Sequence, residues 1–453
     1  MLYVLIVAIL ILIIAAYIVT KDVLSPSLLL CAVFFLSVLC AIMGNRAWQV
    51  DVSVNVVLVV GGGLFCIFLG EIVGRFICTQ PKLSRQITSN GALWETKIIT
   101  HEERLNGKKG ERIAYSPAFI LCLSLLMAGC LVIYYLHLKE IALAAEQDIG
   151  KGMLLQVVRL ALQIGGYSIN PIVAVLMYFI RGFGYVGLAV FMHNVFFEKT
   201  LKQGLKRNWT LLLPIIGLVV SNVLSTARNG FIMLIVVVFF LAIDQIRCRK
   251  KIKILYVGLA GLALVVAFFI LFLILGSMKG QTSDPLSLIW MYAGSSITAF
   301  DTWLVQGTRN TQIFVGESLY GLHSLLARFI PSYSVPSLFS EFVTFPNGEE
   351  TNIYTGFRAW INDFGMLGCM GVSFIIGVVF GMVYIRAVYK KKNRNTTLYK
   401  LIYAYFFYGL LYSFATPELT TSLFSITQIF DLLFICLSYY VVLNIDVKRR
   451  RKQ

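Results

Sequence analysis

The sequence predicts an all-α polytopic membrane protein of about eleven transmembrane helices, within a range of roughly ten to twelve, and three observations carry that prediction. Hydrophobic residues make up 58% of the chain and its mean hydropathy is +0.81, values of an integral membrane protein and not of a soluble domain with an anchor. Apolar runs long enough to cross a bilayer recur along the whole chain. Basic residues fall in blocks between those runs, as in cytoplasmic loops beside an anionic leaflet, so the net charge of +17 reads as topology and excludes a nucleic-acid partner.

The runs lie at roughly 2–20, 27–43, 54–73, 117–137, 170–194, 209–225, 230–245, 253–277, 364–386, 398–414 and 422–444. The first has neither a basic leader nor a small-residue cleavage site, which predicts a retained span and not a signal peptide. When alternate loops are assigned to one side, that side holds 29 of the 39 basic residues. The short basic stretches 247–253, 390–394 and 448–452 agree with the long loop at 74–116. The expected orientation is therefore N-terminus outside and C-terminus cytoplasmic. The chain divides into an N-terminal transmembrane bundle of about eight spans (1–277), a large extracytoplasmic loop (278–362), and C-terminal helices with a basic tail (363–453). In the ninth span Gly365, Gly368, Gly371, Gly377 and Gly381 form a small-residue face, which predicts close helix packing. None of the nine cysteines falls in the outer loop and no CxxC occurs, so neither an exported disulfide framework nor a metal site is expected.

The cytoplasmic side lacks a Walker lysine loop, an Asp-x-Asp pair and an HExxH helix, so no nucleotide chemistry and no cofactor are expected there. The outer side is more informative. Arg228 sits in the tight turn Ser225 to Gly230 between two spans, where a guanidinium can bind phosphate bidentately or snorkel to headgroups. Arg328 closes the stretch Gly316 to Pro331, in which Leu319, Leu322, Leu326 and Phe329 recur at helical spacing. That spacing predicts an interfacial amphipathic helix, either a lid or a structural cover, with His323 and Arg328 off the apolar stripe. His323 suits a hydrogen-bonded surface position, with substrate contact as the alternative. Arg358 and Asp363 flank Ala359 to Asn362 just before a span, where Asp363 suits a helix cap. Arg181 lies within a span and needs a wet cavity or a partner. Glu317, Glu341, Glu349 and Glu350 are the outer loop carboxylates available as a base. Aromatics such as Trp290, Trp303, Tyr320, Tyr354 and Trp360 suit sugar stacking or an interfacial belt.

Two stretches carry a resemblance: the turn Thr226 to Gly230 opening an apolar helix, and the run from Arg328 through Asn352-Ile353-Tyr354-Thr355 to Asp363 and Gly368. With the span layout, they resemble the bacterial oligosaccharide repeat-unit polymerases of O-antigen and capsule (Wzy) type. The resemblance implies a helical bundle like that of lipid-linked-sugar glycosyltransferases of the GT-C class, with a periplasmic loop over the active site. It implies a donor glycan on undecaprenyl diphosphate, a lipid-linked repeat unit as acceptor, and a flippase and a chain-length regulator as partners. Arg228 and Arg328 would clamp the diphosphate without a metal, with Arg358 a third candidate. Glu349, Glu350 and Asp363 would be nominees for the base. Arg181, Asn352, Tyr354, His323 and Trp360 would contact substrate. A ligase of the same superfamily and a lipid-linked oligosaccharide transporter are the alternative functions; a transporter more often shows internal repeats and charged midplane helices.

Overall fold

The structure is a computed structural model and describes residues 1–79, 112–149, 152–163, 165–198, 200–225, 228–247, 290–306, 315–330, 332–336, 341–389 and 394–450, with scattered positions between 256 and 270. The expected eighth span at 253–277 and most of the 74–116 loop lie outside the described residues. The helices are α1 Leu2–Thr20, α2 Pro26–Trp48, α3 Val54–Cys78, α4 Pro117–Ile149, α5 Leu154–Gln163, α6 Pro171–Phe197, α7 Leu201–Arg207 and α8 Leu212–Leu224. They continue with α9 Arg228–Arg247, α10 Ser295–Gln306, α11 Tyr320–Leu326, α12 Gly356–Tyr389, α13 Arg394–Leu411, α14 Glu418–Thr421 and α15 Ile426–Arg450. Among the described residues the only strands are β1 Val343–Thr344 and β2 Glu350–Thr351, an antiparallel hairpin pairing Val343 with Thr351.

Local sequence explains where the long helices begin and end. Proline stands at the first position of α2, α4 and α6, where its missing N–H costs nothing. The Asn170 side chain caps α6 by accepting from the Ile172 N–H at 2.9 Å. Lys21 and Gln49 close α1 and α2 in the left-handed conformation.

Among the described residues, eight helices are long and apolar enough to cross a membrane; α7 with the segment Trp209–Leu224, bent by 72°, would make a ninth. The chain is thus an all-α, multi-pass membrane protein. Helix α13 is not among the eight, although the sequence predicts a span at 398–414. Its Leu401, Tyr403, Ala404, Phe407 and Leu410 are buried. A helix enclosed by its neighbours needs no lipid-compatible surface, so tyrosines and Lys400 are tolerated.

The closest packing in the bundle joins α3 to α12. Gly70 and Gly74 meet Gly377 and Gly381: a Cβ on Gly70 would lie 2.1 Å from the Phe374 carbonyl oxygen, and one on Gly377 2.2 Å from that of Ile67. The expected small-residue face is therefore the packing surface at 377 and 381. Gly371 meets no neighbouring atom among the described residues, and Gly365 has a different task. With φ 71° and ψ −177° it takes a backbone conformation open essentially to glycine alone, and it kinks α12 between 356–364 and 366–389.

At one end of the bundle six charged side chains form a buried network. Asp22 accepts from Arg247, from the Tyr384 hydroxyl at 2.7 Å and from the Leu24 N–H. Glu71 pairs with Arg75 at 2.6 Å and accepts from Ser25 Oγ and, at the N-terminus of α2, from the Ser27 N–H. Asp244 pairs with Lys400 and lies 3.8 Å from Arg247. Three carboxylates thus face three cations, tying the α1–α2 connection to α3, α9, α12 and α13. Because the C-terminal ends of α9 and α12 meet here, their N-terminal ends, carrying Arg228 and Arg358, share the opposite end. That opposite end is the outer one in the orientation expected from the charges.

Two outcomes test this packing. Asp244→Asn or Lys400→Met alone should cost about 3–5 kcal/mol, because each leaves its partner buried and unpaired. The double variant should recover most of that loss, since two carboxylates and two arginines still balance. Gly377→Ile should lower the unfolding midpoint in detergent more than Gly371→Ile, because only the former forces two backbones apart.

Candidate functional site

The end of the bundle opposite the buried charge network carries a polar core assembled from four segments around Arg358. Arg358 and Asn362 stand four residues apart, on one face of the first segment of α12. The Arg358 side chain is 6% exposed. Its Nη1 donates to Glu317 Oε2 at 2.7 Å and its Nη2 to Glu341 Oε1 at 2.9 Å. The guanidinium lies 5.1 Å from the Trp303 ring of α10 and 4.7 Å from the Tyr354 ring, so it is sandwiched as well as bridged. Asn362 Nδ2 donates to Glu317 Oε1 at 3.1 Å. Asp363 accepts from the Ser318 N–H at 2.6 Å and more loosely from that of Glu317. Tyr354 closes the ring by donating its hydroxyl to the Glu341 carbonyl at 2.8 Å.

Three carboxylates therefore gather about one guanidinium. Burial pushes the Glu317 carboxyl above its ordinary range; Arg358 pulls it back, and Asp363 and Glu341 push it up again. Burial likewise pushes the Tyr354 hydroxyl up to about 12. Glu317 is still 26% exposed at its side chain, so the carboxylate with raised proton affinity is also one that a ligand can reach. Trp303 Nε1, Ser318 Oγ and Thr355 Oγ1 border the cluster as buried polar atoms with no hydrogen-bond partner among the described residues.

Several expected site residues are held by partners within the protein. Arg358, a candidate phosphate clamp by sequence, is held by two carboxylates and two aromatic rings. Asp363 does not cap its own span; the helix instead begins at Gly356, kinks at Gly365, and leaves Asp363 to bind the backbone of the 317–318 turn. Trp360 is buried and donates to Thr420 at 3.1 Å, with its ring edge-on to Phe357, so its faces are not open to a sugar. His323 is buried, not a surface residue, and bonds Tyr333 at 2.6 Å. The amphipathic helix is shorter than expected, spanning Tyr320–Leu326. Its buried face is Gly321 and His323, because Gly321 sits against the backbone of Thr421 and Leu423, while Phe329 is 76% exposed. Glu349 and Glu350 belong to the hairpin, the first accepting from Trp48 Nε1 at 2.8 Å and the second from Thr344 at 3.1 Å. Arg181 has its partner in Asp431 of α15 at 3.0 Å, and Tyr405 holds the other carboxylate oxygen at the same distance. Asn352 is half-buried just before Tyr354.

The two remaining arginines differ from these. Arg328 is exposed on the turn that follows α11, beside exposed Phe329 and Ile330. Arg228 is the first residue of α9, and the Asn222 amide donating to the Gly230 carbonyl at 3.2 Å braces that turn. Thr226 and Ala227 lie outside the described residues. Glu317 and Glu341 are among the loop carboxylates available by sequence, but nothing in their spacing marks them: they reach Arg358 across 41 and 17 residues.

Arg358→Ala should therefore act first on stability, at about 3 kcal/mol, the lower part of the range for a broken buried pair because Glu341 is half exposed. Arg328→Ala should stay within about 0.5 kcal/mol of wild type. The folded Glu317 carboxyl binds a proton more tightly than the unfolded one, so its contribution falls as pH rises through and above the usual carboxylate range. The Arg358→Ala deficit should accordingly be larger at pH 8 than at pH 5, as read by unfolding midpoints in detergent.

Comparison of the chain with protein-family models, with curated proteins and with solved structures returns no match.

Proposed function

We propose that the protein is a metal-independent glycosyltransferase that polymerises undecaprenyl-diphosphate-linked oligosaccharide repeat units into a long polysaccharide. The reaction would take place on the outer face of a bacterial cytoplasmic membrane. The observation that carries this reading is the polar core around Arg358, built at one end of an otherwise apolar bundle. A membrane protein that only needed to be inserted would have no reason to bury a guanidinium there and gather three carboxylates around it. The reading includes the finer expectations from the sequence: about eleven spans, a GT-C-like bundle, the N-terminus outside and the C-terminus cytoplasmic.

In this reading a hydroxyl of the acceptor repeat unit attacks the anomeric carbon of the donor glycan, and the lipid diphosphate leaves with the bonding electrons. A diphosphate is already a weakly basic leaving group, so charge stabilisation and positioning matter more than a strong acid. Arg328 and Arg228 would supply that charge. Arg328 is exposed beside Phe329 and Ile330, a combination suited to an amphiphile with an anionic head and an apolar tail. Arg358 would act through the fold of the site and not on the phosphates.

Purified protein given lipid-linked repeat units should yield a ladder of products, and hydrolysis or transport without a ladder would count against the proposal. In cells, Arg228→Ala should abolish long-chain polymer at normal protein level. Normal chain length in that variant would remove Arg228 from the mechanism.

A further inference from the structure

We infer that Glu317 is the proton acceptor for the attacking hydroxyl, with Asn362 and Arg358 as its positioning residues; this rests on the glycosyl-transfer reading above. The geometry assigns it by comparison with the other carboxylates of the 317–363 stretch. Glu349 is held by an indole N–H and Glu350 lies across a two-residue hairpin from Thr344, each away from the arginine core. Asp363 accepts two backbone N–H groups and so fixes the 317–318 turn. Glu341 is the outer flank of Arg358, 49% exposed, and among the described residues no amide orients it. Glu317 differs from all of these in having one oxygen on a guanidinium and the other on an amide, which fixes the plane of the carboxylate while its second lone pairs stay available.

The surroundings fit a base that works on a hydroxyl. Arg358, Asp363, Glu341 and Tyr354 are the titratable groups that face it, three of them anionic or phenolic and one cationic. A proton arriving on Glu317 therefore leaves the cluster with less repulsion than before. The buried Trp303 Nε1, Ser318 Oγ and Thr355 Oγ1, unpartnered among the described residues, are donors that border the same place. A saccharide brings acceptors of the matching kind. In the step, the acceptor oxygen forms its bond to the anomeric carbon as the bond from that carbon to the diphosphate oxygen breaks. The electron pair departs on the diphosphate, and the hydroxyl proton passes to a Glu317 oxygen.

The experiment uses the full-length purified protein with polyprenyl-diphosphate-linked repeat units and reads ladder formation against pH. Glu317→Gln keeps the size but turns one acceptor into a donor facing Arg358 or Asn362, so it should fold with a lowered unfolding midpoint and, assayed well below that midpoint, lose about 10²–10⁴-fold in kcat. The wild-type rate should fall on acidification through a limb above the usual carboxylate range, and that limb should be missing from the residual activity of E317Q. Added formate should restore activity to Glu317→Ala in proportion to its concentration, which a merely structural residue would not show. A wild-type ladder matched by E317Q at the same rate with the same acid limb overturns the assignment and leaves the polymerase reading standing. Disappearance of the limb in Glu418→Gln overturns it equally, since Glu418 is another outer carboxyl pushed up by burial. No ladder from wild-type protein overturns the polymerase reading itself, and Glu317's role with it.

Discussion

The interaction on which the rest of the structure depends is the network of Asp22, Glu71 and Asp244 with Arg75, Arg247 and Lys400. Any one of these charges, alone in an apolar bundle, would cost several kcal/mol to bury. Together they are neutral, and each carboxylate has a partner on another element or the next helical turn. Such a set contributes little net free energy compared with apolar side chains of the same volume, so its effect lies in register. Asp22 can meet Arg247 and Tyr384 at once only if α9 and α12 end at one depth. Glu71 can take the Ser27 N–H at the start of α2 only if α3 is set against the α1–α2 connection. Between the two ends, the glycine-to-glycine contact of α3 and α12 leaves no room for sliding.

Fixing that end fixes the other. Helices α9 and α12 both run from the network toward the other end, and their starts carry Arg228 and the Arg358–Asn362 face. The Gly365 kink then turns the first two helical turns of α12 off the axis of the span. This separates two jobs within one helix. Residues beyond 365 pack on α3, while those before it reach sideways to Glu317, Glu341 and Thr420. A straight helix would carry Asp363 in register with the lipid-facing turn of Leu367, which is 87% exposed.

Much of this architecture is legible in the sequence, because hydropathy, prolines at helix starts and charge blocks are local signals. Ten of the eleven expected runs coincide with described helices, and the stripe ending at Gly377 and Gly381 is a packing surface as its small residues predict. What is not legible is pairing across distance. Arg358 looks identical in sequence whether it awaits a phosphate or already holds Glu317, and the Asp22–Tyr384 bond spans 362 residues. His323 shows the same limit from the other side. Helical periodicity places it off the apolar stripe, but Gly321 opens a close approach to 421–425 and turns that face inward. An apolar stripe marks the face that avoids water, and at a membrane surface that can be the face turned to lipid.

The arginines show why residue type alone misassigns chemistry here. A guanidinium has five donors in one plane and two faces that accept aromatic rings, so protein groups can hold it without a ligand, as two carboxylates and two rings hold Arg358. A lysine could not bridge the same pair and stack at the same time. The property that makes arginine a good phosphate ligand thus also makes it a good organiser of a carboxylate cluster, and a count of arginines in the sequence overstates the number that a ligand could engage. Arg181 is removed from that count by Asp431 and Arg358 by Glu317 and Glu341. Arg328, by contrast, stands on an exposed turn, where a side chain can follow a flexible ligand. The Glu317 carboxylate is held from two sides by Arg358 and Asn362, so it keeps one orientation where a side chain on an exposed turn would not.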